Sequence, residues 1–360
     1  MSVTARLRQV GQSLWLDNIT RRLLDSGTLA RYIVDHDVTG LTSNPTIFEK
    51  AVSSSSDYDA QIRSLAPKLT DPERLFFELA IADLTRAADL FRPIYERSGG
   101  VDGFVSLEVS PMLANDTKAT IEQAKELFAK ANRKNLYIKV PGTREGIPAI
   151  EELIFAGVPI NVTLLFSTEH YVAAAEAYVR GLERRVAKNL SLDVSSVASL
   201  FISRWDRATT KSLPAALQNA LGIAVGMRAY SAYLDLISSD RFKALEQKGA
   251  RPQRLLYAST GTKDPALPAS LYVTALASPN TVNTMPEETL LAFAKNGSLG
   301  ELVAADGKAA DAKLAEIAKA GIDVAALAAQ LQLEGRDAFI KSWRDLIAVV
   351  ETKTGALAAR

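Results

Sequence analysis

The chain has 360 residues, 48% of them hydrophobic and 23% charged, which supplies ample apolar material for a large core. Its 42 basic and 41 acidic residues leave a formal charge of +1, so no basic excess points to nucleic acid or to an anionic membrane surface. There is no cysteine, which excludes disulfides, thiolate metal sites and cysteine nucleophiles.

The first residues, MSVTARLRQVGQSLWLDNI, contain no long apolar segment, and nowhere do about 18 apolar residues run together. Neither a signal peptide nor a membrane span is predicted, and a reducing cytoplasm is the expected location. Predicted strands follow at SLWLD (13 to 17), TGLTSN (39 to 44), GFVSLEVS (103 to 110) and LYIKVP (136 to 141). Four more are predicted at PINVTLLF (159 to 166), ASLFISR (198 to 204), RLLYAS (254 to 259) and LYVTAL (271 to 276). Ser53 to Ser56 reads as a loop after the second strand. A helix is expected from about Pro72 to Ser98, with Leu75, Leu79, Ala82, Leu84 and Leu90 as its apolar stripe. Another follows Thr143 and carries Ile147, Ile150 and Ile154 at helical spacing. An Ala-rich helical tail runs from about Ala304 to the end, where Phe339, Trp343, Leu346 and Val350 form a stripe suited to closing over the body.

Strands alternating with helices imply parallel pairing, because each parallel connection needs a crossover. Repeating the unit eight times points to closure. The rival open sheet usually carries a glycine-rich first turn, and neither GxGxxG nor GxxxxGK[ST] occurs. The predicted fold is therefore α/β, a (β/α)8 TIM barrel with additional N- and C-terminal helices. One domain is expected over residues 1 to 360, with the helical extension beginning at about 304.

Residues two apart on a strand share a face, and that split exposes the chemistry. Ser106 and Glu108 lie opposite Val105, Leu107 and Val109; Asn161 and Thr163 lie opposite Ile160, Val162 and Leu164. Thr42 pairs with Asn44, Trp15 with Asp17, and Tyr137 with Lys139. A single polar residue at a strand end is usually a cap, a turn former or a solvated edge, and a Glu beside a Lys also fits a structural ion pair. Five strands with polar groups on one face near their C-terminal ends carry more weight. In a closed barrel these groups converge on the mouth where barrel active sites lie, and leaving each unsatisfied in a buried position costs about 1–3 kcal/mol.

The chemistry suggested is amine catalysis. Desolvation disfavours an ammonium and so frees a nucleophile for a carbonyl, while Glu108 and Asp17 supply proton exchange. No metal and no cofactor is called for. His36 and His170 stand far from metal-ligand spacing and read as helix-surface or capping residues. After the seventh predicted strand, YASTGTKDP places Ser259, Thr260, Thr262 and Lys263 around Gly261, in a loop where barrels often bind phosphate. Arg204, closing the sixth strand, adds a fork of donors. A hydrophilic loop is the plain alternative for such a string.

NLYIKVPGTREGIPAIEELIFAGVPINVTLLFS resembles the core signature of the transaldolases, in which a lysine followed by Val-Pro forms a Schiff base and Asn-x-Thr follows on the next strand. WLDN, TSNPTIF, SLEVSP, ASLFISR and YASTGTK match further family motifs in order, so the resemblance covers nearly the whole chain; length and tail resemble the longer bacterial branch. The resemblance implies that Lys139 is the Schiff-base lysine, Glu108 the acid/base acting through a water held by Thr163, and Asp17 the acceptor of the substrate hydroxyl proton. It further implies that Asn44, Ser106 and Asn161 bind the dihydroxyacetone part, that Ser199 and Phe201 line the pocket, and that Arg204 holds phosphate, beside the Ser259 that the loop's position already suggests for it. The shorter branch has a second phosphate arginine where this chain has Gly261, which leaves Lys263 as the expected substitute, and Ser203 replaces a glycine common before the arginine.

The implied reaction moves dihydroxyacetone from sedoheptulose 7-phosphate to glyceraldehyde 3-phosphate, giving erythrose 4-phosphate and fructose 6-phosphate, as in the non-oxidative pentose phosphate pathway. An aldolase of the fructose 6-phosphate type, releasing free dihydroxyacetone, would share Lys139 and the barrel. Glu108 favours transfer, since free aldolases among the relatives tend to lack that carboxylate. A non-catalytic sugar-phosphate binding barrel would need neither Glu108 nor Lys139.

Overall fold

Apolar and β-branched runs form the strands of the computed structural model, which describes residues 1–262 and 264–358. They are β1 (Ser13–Asp17), β2 (Val38–Thr42), β3 (Val105–Glu108), β4 (Leu136–Pro141), β5 (Ile160–Leu165), β6 (Ser196–Phe201), β7 (Arg254–Ala258) and β8 (Val282–Met285). Each pairs in parallel with the next, and β8 closes on β1, so the sheet is an eight-stranded barrel wrapped by helices. A helix, Val3–Val10, precedes β1, and two helices, Lys308–Lys319 and Val324–Ala358, follow the last barrel unit.

The last strand is not the one predicted. LYVTAL forms a short helix, Leu271–Ala275, whose Tyr272 and Val273 are buried. Tyr272 Oη donates to the buried Asp206 carboxylate at 2.9 Å. A five-residue apolar run can bury itself as one helical turn as readily as one strand. The true β8 reads VNTM and is buried throughout, yet half of it is polar, because Thr284 meets Thr42 inside the barrel and Asn283 accepts from Thr260. No apolar periodicity marks such a strand.

Two smaller expectations also change. In the helix Pro72–Arg97, Leu90 is 39% exposed, and the buried stripe runs through Leu75, Leu79, Leu84, Ala87 and Phe91. Ser53 and Ser54 are not loop residues: they end the helix Pro45–Ser54, and their hydroxyls donate back to the Lys50 carbonyl. The helices begin where local chemistry allows, with Asn44, Asp71 and Ser167 each accepting a first-turn N–H. His170 Nδ1 accepts the Phe166 N–H at 3.2 Å, and His36 caps the helix Thr28–Asp35 at its C-terminus.

The lower half of the barrel is filled. Trp15 and Tyr137 are fully inside with ring centroids 6.2 Å apart, and Tyr137 stacks on Phe104 at 4.1 Å. Beneath them Asp102 accepts from Trp15 Nε1 at 2.9 Å and from the Ser13 hydroxyl, which Arg254 Nη2 also reaches at 2.8 Å. An open cavity lies toward the C-terminal ends of the strands.

The helix Val324–Ala358 crosses that open end. It buries Leu331, Gly335, Phe339, Trp343, Leu346 and Val350, a stripe at steps of three and four residues. Trp343 packs edge-on against Phe76 at 5.2 Å, and Thr46 bonds Ser342 at 2.8 Å. At β5, Leu164 takes φ 62°, a left-handed conformation that costs a bulky residue about 1–3 kcal/mol. Its carbonyl and that of Gly142 both accept from Gln332 Nε2, at 2.9 and 3.1 Å, so the helix is bolted to the strained strand end. Among the described residues no helix is long and apolar enough to cross a membrane.

Candidate active site

Strand register builds the centre. The β3–β4 pairing sets Glu108 opposite Lys139, and the β4–β5 pairing sets Lys139 opposite Asn161 and Pro141 opposite Thr163. Lys139 Nζ donates to Glu108 Oε2 and to the Ser43 carbonyl, both at 3.2 Å. The two side chains are almost fully buried, at 7% and 8% exposure. Burial pushes the Glu108 carboxyl above the usual carboxylate range, against the pull of the Lys139 charge and hydrogen bond, while the Asp17 charge adds to the rise. A buried ion pair is costly to desolvate, and these two groups stand within hydrogen-bond distance of each other.

Asp17 lies across the barrel at the end of β1 and accepts from Thr42 Oγ1 at 2.7 Å; Thr42 in turn meets the Thr284 hydroxyl at 2.7 Å. Burial raises the Asp17 carboxyl as well, opposed by the Lys139 charge and the Thr42 hydrogen bond. Two carboxylates thus flank one amine from different strands.

A cavity of about 340 Å³ opens above them, within the range of about 300–1,000 Å³ typical of small-molecule sites. Asp17, Asn44, Lys139 and Thr163 line one side of it, Ser199 and Phe201 line it from β6, and Ser259 from just beyond β7; Arg204, expected to close the sixth strand, instead reaches it from the helix Ser203–Thr209, because β6 ends at Phe201. Three predicted residues stand just behind this wall. Glu108 is bonded to Lys139, and Ser199 Oγ donates to Asn161 Oδ1 at 2.7 Å while Asn161 Nδ2 donates to Ser106 Oγ at 3.1 Å. Thr163 Oγ1 is buried with no hydrogen-bond partner among the described residues. Lys263 lies outside the described residues.

At the far end of the cavity, the Arg204 guanidinium packs 5.0 Å from the Phe201 ring centroid and 5.8 Å from that of Phe339. Ser259, held at φ 56°, shares a 2.9 Å hydroxyl contact with Ser203. Gly261 also lines the cavity; a Cβ there would stand 3.0 Å from Pro286 Cγ and 3.2 Å from Thr289 Oγ1, so a side chain at this position would have to shift both slightly.

Several lining residues escaped the sequence reading. Thr46, Ile47 and Lys50 reach the cavity from one face of the helix Pro45–Ser54, Thr284 and Pro286 come from the misassigned end of the barrel, and Phe339 comes from the C-terminal helix. The spacing of Thr46 and Lys50, one helical turn apart just after Asn44, was the available signal for the first group. Among the described residues no cluster of three His, Asp or Glu side chains is placed to hold a metal.

The family model described as transaldolase/fructose-6-phosphate aldolase matches residues 14–350. A transaldolase of Saccharopolyspora erythraea is 45% identical over 96% of this chain and 95% of its own length. One from Thermobifida fusca is 44% identical over 95% of each chain, and one from Thiobacillus denitrificans 42% identical over 97% of this chain and all of its own.

Proposed function

The chain belongs to the transaldolase/fructose-6-phosphate aldolase family, and from that premise we propose that it is a transaldolase, a transferase moving dihydroxyacetone between sugar phosphates. The donor is sedoheptulose 7-phosphate and the acceptor glyceraldehyde 3-phosphate, giving erythrose 4-phosphate and fructose 6-phosphate in the non-oxidative pentose phosphate pathway. The observation that carries the reading is the buried Lys139–Glu108 pair, 3.2 Å apart, with Lys139 lining the cavity at the C-terminal mouth of the barrel.

In this reading the neutral Lys139 amine adds to the ketose C2 carbonyl, and the carbinolamine loses its hydroxyl as water to form the iminium. Glu108 gives and takes the protons, relayed by a water on the otherwise unpartnered Thr163 hydroxyl. Asp17 takes the C4 hydroxyl proton as the C3–C4 bond breaks, and the electron pair of that bond is stored as an enamine on Lys139. The acceptor aldehyde is then attacked at carbon, its oxygen takes a proton back from Asp17, and hydrolysis of the new iminium frees the product and the lysine. Asn44 and the Ser199–Asn161–Ser106 chain orient the dihydroxyacetone hydroxyls. Arg204, Ser259 and the newly placed Lys50 receive phosphate.

The test is to supply fructose 6-phosphate with erythrose 4-phosphate and assay both sedoheptulose 7-phosphate and free dihydroxyacetone. Acceptor-dependent formation of the heptulose supports transfer. Dihydroxyacetone released at one rate with or without the acceptor would make the protein an aldolase instead.

A further inference from the structure

We propose that Phe339, on the C-terminal helix, determines whether the enamine is transferred or hydrolysed, by covering the Lys139 nitrogen and fixing the Arg204 guanidinium with the same ring. The inference rests on the transfer reading above and concerns the fate of its intermediate.

Phe339 comes from outside the (β/α) units, yet it lines the same cavity as Lys139. Its ring centroid lies 5.4 Å from Lys139 Nζ and 5.8 Å from the Arg204 guanidinium carbon, and only 7% of the residue is exposed. It meets Phe201 edge-on at 6.3 Å, so Arg204 is packed against two aromatic faces. The negative face of a phenyl ring attracts a nearby cation, the more so when water is excluded. On Lys139 that cation is the iminium formed on either side of the enamine; the enamine itself is neutral.

The chemistry at risk is specific. While waiting for an acceptor, the enamine can be protonated at carbon to return the iminium; water then adds at C2, the C–N bond breaks, and dihydroxyacetone and the free amine leave. A bulky apolar ring beside the nitrogen keeps that water out without taking part in any bond change. The ring is placed firmly: Gln332 ties the same helix to the Leu164 and Gly142 carbonyls, and Trp343 anchors it against Phe76. By holding Arg204 as well, the ring links closure over the lysine to the site where the acceptor's phosphate arrives.

The measurement is the ratio of free dihydroxyacetone to sedoheptulose 7-phosphate formed from fructose 6-phosphate and erythrose 4-phosphate, with borohydride trapping at Lys139 as a parallel readout. Phe339→Ala is expected to raise the ratio at least about tenfold and to raise KM for erythrose 4-phosphate more than it lowers kcat, while trapping at Lys139 persists. Phe339→Leu, which keeps bulk but has no π face, is expected to recover most of the water exclusion and less of the KM, and it carries the test alone if the alanine variant does not fold. An unchanged ratio in both folded variants, or in the leucine variant together with an unchanged KM, with the adduct still formed, would overturn the role of Phe339 and leave the transfer reading intact. Absence of an adduct in the parent protein would instead remove the transfer reading, and this inference with it.

Discussion

Lys139 Nζ and Glu108 Oε2 sit 3.2 Å apart on neighbouring strands, each almost wholly removed from solvent, with the Ser43 carbonyl as the only other hydrogen-bond partner of the amine among the described residues. A buried pair of this kind is a poor source of stability, because desolvation offsets most of the attraction. In the proposed reaction its value lies in proton exchange beside the nucleophile. Glu108→Gln should therefore lower kcat by about 10²–10⁴ while leaving the lysine able to form a slow adduct. Steady-state kinetics with single-turnover trapping checks this; a kcat within about threefold of the parent would count against an acid/base role.

Asp17 gives a prediction with a sign that depends on pH. Burial raises its folded-state carboxyl above the unfolded value of 3.8, so the folded state holds the proton more tightly than the unfolded one. Ionising Asp17 therefore costs stability, a cost absent below the unfolded pKa and complete above the folded one. Asp17→Asn keeps an acceptor for Thr42, so it should raise Tm at pH 7 relative to the parent, with the gain shrinking as pH falls toward 4. The same variant should lose about 10²–10⁴ in kcat. Melting curves across pH test the first part, and a gain that grows on acidification would contradict it.

Gly335 lets the C-terminal helix approach Arg204. A Cβ at this position would stand 3.1 Å from both Arg204 Nη1 and Leu164 Cδ2, so Gly335→Ala must displace one or both. The expected result is a several-fold rise in KM for phosphorylated substrates, with a stability loss of about 1–3 kcal/mol from overpacking. Kinetics with phosphorylated and unphosphorylated donors separates the two effects, since an arginine displacement spares the unphosphorylated sugar.

Lys50 lines the cavity shared by Arg204, Ser259 and Gly261, where the glycine offers no cation. Lys50→Ala should raise KM for fructose 6-phosphate by about tenfold, with a smaller change in kcat and a weaker dependence of KM on salt. An unchanged KM would remove Lys50 from phosphate binding.

The barrel floor supplies a control. Asp102→Ala strips the Trp15 indole N–H and the Ser13 hydroxyl of their shared acceptor, which should cost about 1–3 kcal/mol of stability with KM unaffected at 25 °C. Chemical denaturation and kinetics on one preparation check both halves.

How much of this was visible in the sequence follows from where each residue gets its direction. Glu108 and Lys139 take theirs from the period of two along single strands, and their strands were marked by apolar neighbours, so the face they share could be read directly. β8 failed that test because Asn283 and Thr284 are buried polar residues whose side chains meet Thr260, in the loop after β7, and Thr42, on β2. Lys50 and Phe339 escaped for another reason: they sit on helices, and only tertiary docking aims a helix face at a barrel mouth. The stripe holding Phe339 was readable as buried, but not as buried against a reactive amine.

The most direct test of the chemistry assigned to Lys139 is to incubate the protein with fructose 6-phosphate, reduce with borohydride, and map the modified residue by mass spectrometry. A single reduced adduct at Lys139, abolished in a folded Lys139→Arg variant, is the predicted result. No adduct, or an adduct at another lysine with the Lys139→Arg variant still active, would contradict it.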